Sequence, residues 1–265
     1  MGIFESLILG LVQGLTEFLP VSSSGHLVIS EGLFGIKSDD IVFEILVHFG
    51  TLIAVLIYFR KKLYGIIKAV FAAAFDKSAR NLNPDLKMAL FLIVGTIPAV
   101  IIGFVFKSHI VEAFNSPRWA SAMLLVTALI LFSTKWAADG SKKLSGIRSL
   151  AIGFAQALAI MPGISRSGST ISTGMWLGMN KSEAAEFSFL LSVPAIVGAT
   201  ILEIPQIFNV PGNAGLLPVY LAGAVVSAVV GYLSIAFLLS VIKKGKFFYF
   251  GLYCVVIGLL GIFLL

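Results

Sequence analysis

The chain has 265 residues, 58% of them hydrophobic and only 12% charged, with a mean hydropathy of +1.01. Soluble domains carry roughly 25% charged residues, so the composition excludes an ordinary water-soluble enzyme. It points to an all-α, polytopic membrane protein with one integral-membrane domain spanning residues 1–265. The net charge of +6 does not imply nucleic acid, because basic residues of membrane proteins collect in cytoplasmic loops. The single cysteine, Cys254, excludes an intrachain disulfide and a cysteine-based metal cluster.

The first apolar stretch contains Glu5 and Glu17 and has no basic n-region or small-residue cleavage site. A cleavable signal peptide is therefore not expected. Residues 1–41 are apolar but broken by "EFLPVSSSGHL" (17–27). The limb from His26 to Gly35 is ten residues, about 15 Å of helix and half of a ~30 Å hydrocarbon core. Two such limbs around a turn describe a re-entrant hairpin, which survives at membrane depth only where protein buries it or it lines a wet cavity. Apolar windows then predict full spans at about 42–59, 88–107 and 118–136. A second broken stretch, 148–181, holds "PGISRSGST" (162–170), and further spans follow at 185–202, 217–240 and 247–265.

The loops support six full spans and two re-entrant hairpins. Residues 60–87, read as a loop, hold Arg60, Lys61, Lys62, Lys68, Lys77, Arg80 and Lys87. Residues 135–149 hold Lys135, Lys142, Lys143 and Arg148, and 241–246 hold Lys243, Lys244 and Lys246. Residues 31–41 have only Lys37, 107–118 have Lys107 and Arg118, and 203–216 have none. The rich loops belong to the cytoplasm. A full crossing by 2–19 is the rival topology and would need a compensating crossing elsewhere.

The two broken stretches align without a gap at an offset of 143, "GLVQGLTEFLPVSSSGHL" (10–27) over "GFAQALAIMPGISRSGST" (153–170). Gly10/Gly153, Gln13/Gln156, Leu15/Leu158, Ser22/Ser165, Ser24/Ser167 and Gly25/Gly168 are identical pairs. Each stretch precedes three expected spans, so the copies have opposite orientation, as in an inverted repeat of about 1–140 and 145–265 whose tips meet near the midplane. The copies diverge at Glu17/Ile160, Ser23/Arg166 and His26/Ser169. One tip supplies an acid–base set and the other a fixed cation.

Gln13 and Glu17 share a helix face. A carboxylate at mid-membrane is expensive and usually functional, and poor solvation at the end of its limb suits Glu17 to accept a proton unless Arg166 lies close. A serine hydroxyl needs a nearby base to become a nucleophile, and Glu17 or His26 could serve. Ser22 and Ser24 recur in both copies and read as framework or binding donors; helix capping also suits them. Ser23, peculiar to the first tip, is the nucleophile candidate. His26 is suited to proton transfer or to orienting a phosphoryl oxygen. In the second tip Gly163 and Gly168 allow tight turns, while Ser165, Ser167, Ser169 and Thr170 cluster at a helix N-terminus, a ready anion site. Arg166 adds a planar donor fork, unless it forms only a structural pair with Glu17 or Glu186. Glu44 and His48 share a face of the first span and either line the cavity or sit at the interface.

"QGLTEFLPVSSSGHL" with "PGISRSGST", together with "EFSFLL" (186–191) and the chain length, resembles the undecaprenyl-pyrophosphate phosphatase family, also called bacitracin resistance proteins. The family's Glu/Gln-x-x-x-Glu motif is present in its Gln form at Gln13 and Glu17, and its Pro-Gly-x-Ser-Arg-Ser-Gly motif begins at Pro162. The resemblance implies a multi-pass plasma-membrane phosphatase that removes the terminal phosphate of an isoprenyl diphosphate lipid, recycling the carrier for cell-wall synthesis. It implies stimulation by Mg²⁺ or Ca²⁺ and a site open to the extracytoplasmic side. Carried over, Glu17, Ser23, His26 and Arg166 are catalytic. Gln13, Ser22, Ser24, Gly163, Ser165, Ser167, Gly168 and Thr170 bind substrate, with Glu17 as a metal ligand; the neutral Gln13 removes one possible metal carboxylate. A transporter or lipid flippase with a midplane anion site is the rival, since inverted repeats with broken helices are also transporter architecture. The asymmetric Glu17/Ser23/His26 set, which an anion binder does not need, favours the enzyme. A purely structural subunit leaves the buried polar groups unexplained.

Overall fold

A computed structural model describes residues 1–34, 41–75, 83–137, 140–209 and 215–265. Among the described residues all regular structure is helical. In chain order the helices are α1 (Ile3–Thr16), α2 (Ser23–Phe34), α3 (Ile41–Tyr58), α4 (Arg60–Phe75), α5 (Pro84–Val105) and α6 (Lys107–Phe114). They continue as α7 (Pro117–Ser133), α8 (Gly146–Leu158), α9 (Arg166–Trp176), α10 (Lys181–Asn209), α11 (Leu217–Lys243) and α12 (Tyr249–Leu264).

Two corresponding helices, α1 and α8, are packed inside out relative to a soluble bundle. On α1 the buried face is Ser6, Leu9, Gly10, Gln13, Gly14 and Thr16, while Phe4, Leu7, Leu11 and Leu15 are exposed. On α8, Ser149, Gly153 and Gln156 are buried with Ile152 and Ala157, and Ile147, Leu150, Phe154 and Leu158 are exposed. Lipid contributes no hydrophobic drive between helices, so small and polar residues take the interfaces and large apolar ones face the bilayer.

Four helices among the described residues are long and apolar enough to cross a membrane, at Pro84–Val105, Pro117–Trp136, Lys181–Leu202 and Leu217–Lys243. They coincide with four of the six expected spans. The expected span 42–59 appears as α3, which meets α4 at a bend of 82°, and counting that pair raises the number to five. The expected span 247–265 appears as the 16-residue α12, about 24 Å long at 1.5 Å per residue and shorter than a typical crossing helix. The loop expected over 60–87 is a correction: all of its first half is the helix α4. Its basic residues lie beside exposed Tyr64, Ile67, Phe71 and Phe75, and Lys62 pairs with Asp85 at 2.9 Å. Charge density signalled a loop there, whereas these residues form an amphipathic helix turned sharply from α3. Lys37, Lys77 and Arg80, used in the loop count, lie outside the described residues.

Residues 143 apart make corresponding contacts. The short helices α1 and α8 pack on α11 and α5 respectively. A side chain at Gly10 would collide with the Gly223 backbone, and one at Gly153 with the Gly95 backbone. Ser6 Oγ donates to the Val219 carbonyl and Ser149 Oγ to the Phe91 carbonyl, extending the correspondence ahead of residues 10–27 and 153–170 to another identical pair at the same offset. In both pairings the partner residues are 128 apart, as 219 − 91 and 223 − 95. Helix pairs α3–α10 and α7–α12 also pack together.

Candidate active site

Each tip is a capped helix start. Ser22 Oγ accepts from the Gly25 amide at 3.2 Å and lies 3.3 Å from Ser24 Oγ. Ser165 Oγ accepts from the Gly168 amide at 3.0 Å and lies 3.3 Å from Ser167 Oγ. A serine hydroxyl at this position satisfies an orphan amide of the first turn, which explains why these serines recur. The tips touch reciprocally. A Cβ at Gly25 would come within 2.9 Å of Gly163 Cα, and one at Gly168 within 3.4 Å of Pro20 Cβ. Gly163 has φ +91, where a side chain is strained. Ser22 occupies the same left-handed region at φ +68 without being glycine, a strain that the surrounding tip must hold.

The residues at which the copies diverge converge on one carboxylate. Glu17, 8% exposed, follows α1. Its Oε2 accepts from Ser23 Oγ at 2.6 Å and from Gln13 Nε2 at 3.0 Å. Its Oε1 accepts from Arg166 Nη2 at 2.5 Å. Ser23 and Arg166 are the first residues of α2 and α9, so two helix N-termini, with their positive dipole ends, start beside the same group. The other terminal nitrogen of Arg166, Nη1, is buried without a partner, and so is Gln13 Oε1. A buried guanidinium N–H without an acceptor is costly unless something anionic takes it. Ser23 is only half-buried.

The remaining candidates divide. Gln13, Glu17, Ser23 and Arg166 come together. Ser167 Oγ donates to the Leu19 carbonyl at 3.0 Å, tying the second tip to the first. Thr170 Oγ1 bonds the Arg166 carbonyl and Ser188 Oγ at 2.7 and 2.6 Å. Ser22, Ser24, Gly163, Ser165, Ser167, Gly168 and Thr170 therefore shape and hold the tips. His26 bonds neither Glu17 nor Ser23: its Nδ1 is 2.8 Å from the Ser22 carbonyl and its Nε2 is 2.9 Å from the Tyr253 hydroxyl. Arg166 pairs with Glu17 and not with Glu186, so the expectation that poor solvation suits Glu17 to accept a proton is corrected: its place as a base rests on the hydrogen bond from Ser23 Oγ.

His48, undecided from sequence, belongs to this site. Its Nδ1 faces the Glu44 carbonyl at 2.8 Å and its Nε2 stands 3.9 Å from Glu17 Oε2, a gap that one water can bridge. Tyr253 gave no signal in the sequence, since it lies in a uniformly apolar segment. Thr127 and Cys254 gave none either. Thr127 Oγ1 donates to the Gly163 carbonyl at 2.8 Å, and Cys254 Sγ contacts the Pro20 carbonyl at 3.8 Å. These are corresponding tip positions, each held from α7 or α12.

Among the described residues no three His, Cys, Asp or Glu side chains gather as a metal cage. Glu17 already accepts three hydrogen bonds. Mg²⁺ commonly keeps its waters and is bound by one or two carboxylates plus substrate phosphates. Of these residues Glu17 is the carboxylate that could hold an ion.

Residues 6–260 match the family model described as Bacitracin resistance protein BacA. The chain is similar to the undecaprenyl-diphosphatase of Korarchaeum cryptofilum, 41% identical over 98% of both chains. It is 42% identical to the protein of that name from Desulfosudis oleivorans, over 96% of this chain and 95% of the relative. With the one from Methanosphaera stadtmanae it shares 40% identity over 100% of this chain and 98% of the relative. The chain belongs to the bacitracin resistance protein BacA family.

Proposed function

We propose that this protein is a membrane undecaprenyl-diphosphate phosphatase, releasing inorganic phosphate and leaving the monophosphate lipid as a carrier for cell-wall synthesis. The full-length similarity to proteins named undecaprenyl-diphosphatase supports the activity. The observation that carries the chemistry is the Ser23–Glu17–Arg166 constellation, with Ser23 Oγ 2.6 Å from a carboxylate that also holds the guanidinium.

In this reading Arg166 Nη2 stays on Glu17 while the unpartnered Nη1 takes an oxygen of the terminal phosphate. Glu17 accepts the Ser23 proton as Oγ bonds to phosphorus, and the bond from phosphorus to the bridging oxygen breaks, releasing the lipid monophosphate. Water then hydrolyses the phosphoserine, with Glu17 assisting. Direct attack by a water oriented on Ser23 and Glu17 uses the same groups. Phosphoryl transfer needs mainly positioning and charge stabilisation, which Arg166 and the two helix starts supply. A divalent cation carried in on the diphosphate would neutralise further charge, with Glu17 its protein ligand.

The two halves, about 1–140 and 145–265, are read as inverted repeats of a re-entrant hairpin and three spans. The reciprocal tip contacts and the paired packing of α1 on α11 and α8 on α5 support this. The site then lies near the midplane, opening to the extracytoplasmic side, with the isoprenyl tail in lipid. Purified protein in detergent should release phosphate from a long-chain isoprenyl diphosphate. Movement of the lipid across liposome membranes without hydrolysis would replace this reading with a transporter.

A further inference from the structure

We infer that Tyr253 is a positioning residue, clamping His26 so that the ring holds the Ser22–Ser23 peptide, and with it Ser23, in its reactive place. The inference rests on the activity proposed above. His26 Nδ1 lies 2.8 Å from the Ser22 carbonyl oxygen. A carbonyl only accepts, so Nδ1 carries the hydrogen. In the neutral ring Nε2 is then the acceptor, and Tyr253, whose oxygen is 2.9 Å away, donates its O–H. The phenol also lies nearly parallel to the imidazole, with centroids 5.5 Å apart and planes inclined by 7°. Two hydrogen bonds and a stacked neighbour leave the ring one tautomer and one orientation.

What the ring holds matters for the reaction. The Ser22 carbonyl accepts from both the His26 amide, at 3.1 Å, and His26 Nδ1. That carbonyl belongs to the peptide joining Ser22, at φ +68, to Ser23. A residue in that region persists only where its surroundings over-determine it. The second bond from the imidazole is such a restraint, and Tyr253 fixes the imidazole. Tyr253 comes from α12 and is 42% exposed, and through its bond to His26 the last helix of the chain reaches the first tip. His26 acts in this arrangement through Ser23, which explains its lack of a bond to Glu17.

The test compares Tyr253→Phe with the wild type in the full-length protein in detergent, labelled with ¹⁵N-histidine. The histidines are His26, His48 and His109, and the His26 signals are assigned with His26→Gln. Phe keeps the ring and removes only the donor. The His26 Nε2 signal is expected to move toward that of a free imine nitrogen. Loss of one hydrogen bond should lower kcat for phosphate release about tenfold, with KM unchanged. Tyr249→Phe, on the same helix and 57% exposed, should leave both readouts at wild-type values. An unmoved nitrogen signal, an unchanged kcat, or a loss confined to KM would overturn the clamp. If wild-type protein released no phosphate the proposed activity would fall, and the clamp would be judged on the nitrogen signal alone.

Discussion

Replacing Arg166 by alanine should damage the fold as well as the chemistry, and the two effects can be separated. The guanidinium and the Glu17 carboxylate form an ion pair at 2.5 Å, with side-chain exposures of 15% and 7%. Removing one partner of a buried pair typically costs 3–5 kcal/mol, because the other charge is left uncompensated. Glu17 would still accept from Ser23 and Gln13, which places the expected loss at the low end, about 3 kcal/mol. For a chain of this size that corresponds to roughly 6–12 °C in Tm, taking about 2–4 °C per kcal/mol. The double variant Glu17→Gln/Arg166→Ala removes both charges and should recover most of that loss while remaining inactive. Arg166→Lys keeps the charge but offers a point donor in place of a fork. It should stay within about 1 kcal/mol of wild type, as an ion pair is retained, and lose activity by one to two orders of magnitude, about 1.5–3 kcal/mol for a charged hydrogen bond. The assay is thermal unfolding in detergent beside phosphate release. The reasoning is refuted if Arg166→Ala melts like the wild type, or if the double variant is no more stable than Arg166→Ala alone.

Gly10→Leu should prevent stable folding, because its side chain meets the Gly223 backbone, whereas Leu11→Ala at the exposed neighbouring position should not; expression and gel filtration in detergent distinguish them. Gly25→Ala places a Cβ 2.9 Å from Gly163 Cα, so the tips must part; activity should fall at least tenfold while the protein remains monodisperse, since overpacking costs about 1–3 kcal/mol. Gln13→Glu adds a second carboxylate beside Glu17, 3.0 Å from it in the native pair. If a cation binds there with the substrate, the concentration of Mg²⁺ giving half-maximal phosphate release should drop several-fold, and an unchanged dependence would remove Glu17 as a ligand.

The tips were legible in the sequence because their geometry demands particular residue types. Gly10, Gly25 and Gly153 stand where backbones or tips approach too closely for side chains, Gly168 fits against its own capping Ser165, and Ser22 and Ser165 cap helix starts. These constraints act on both halves, so identity at a constant offset survived them. Where each half solved a contact differently, no identity remained: Thr127 holds Gly163 with a hydroxyl and Cys254 meets Pro20 with a thiol. The helix α4 was missed because basic residues mark cytoplasmic loops and interfacial helices alike. His26 was placed in the reactive set from its neighbours in sequence, but hydrogen bonds to Ser22 and Tyr253 set its orientation, and the Tyr253 partner lies 227 positions away. Convergence of Ser23 and Arg166 on Glu17 was foreshadowed by their shared position in the two copies and by the charge of Glu17, which suited it both as a base for the serine and as a partner for Arg166.

The most direct test of the account is the fate of the terminal phosphate when Ser23 is changed. Undecaprenyl diphosphate labelled with ³²P in its terminal phosphate is mixed with wild type and with Ser23→Ala, and the reaction is acid-quenched within a turnover. The wild type should release labelled phosphate and carry label on the peptide containing Ser23, while the folded alanine variant should do neither. Release at the wild-type rate by Ser23→Ala would contradict the account.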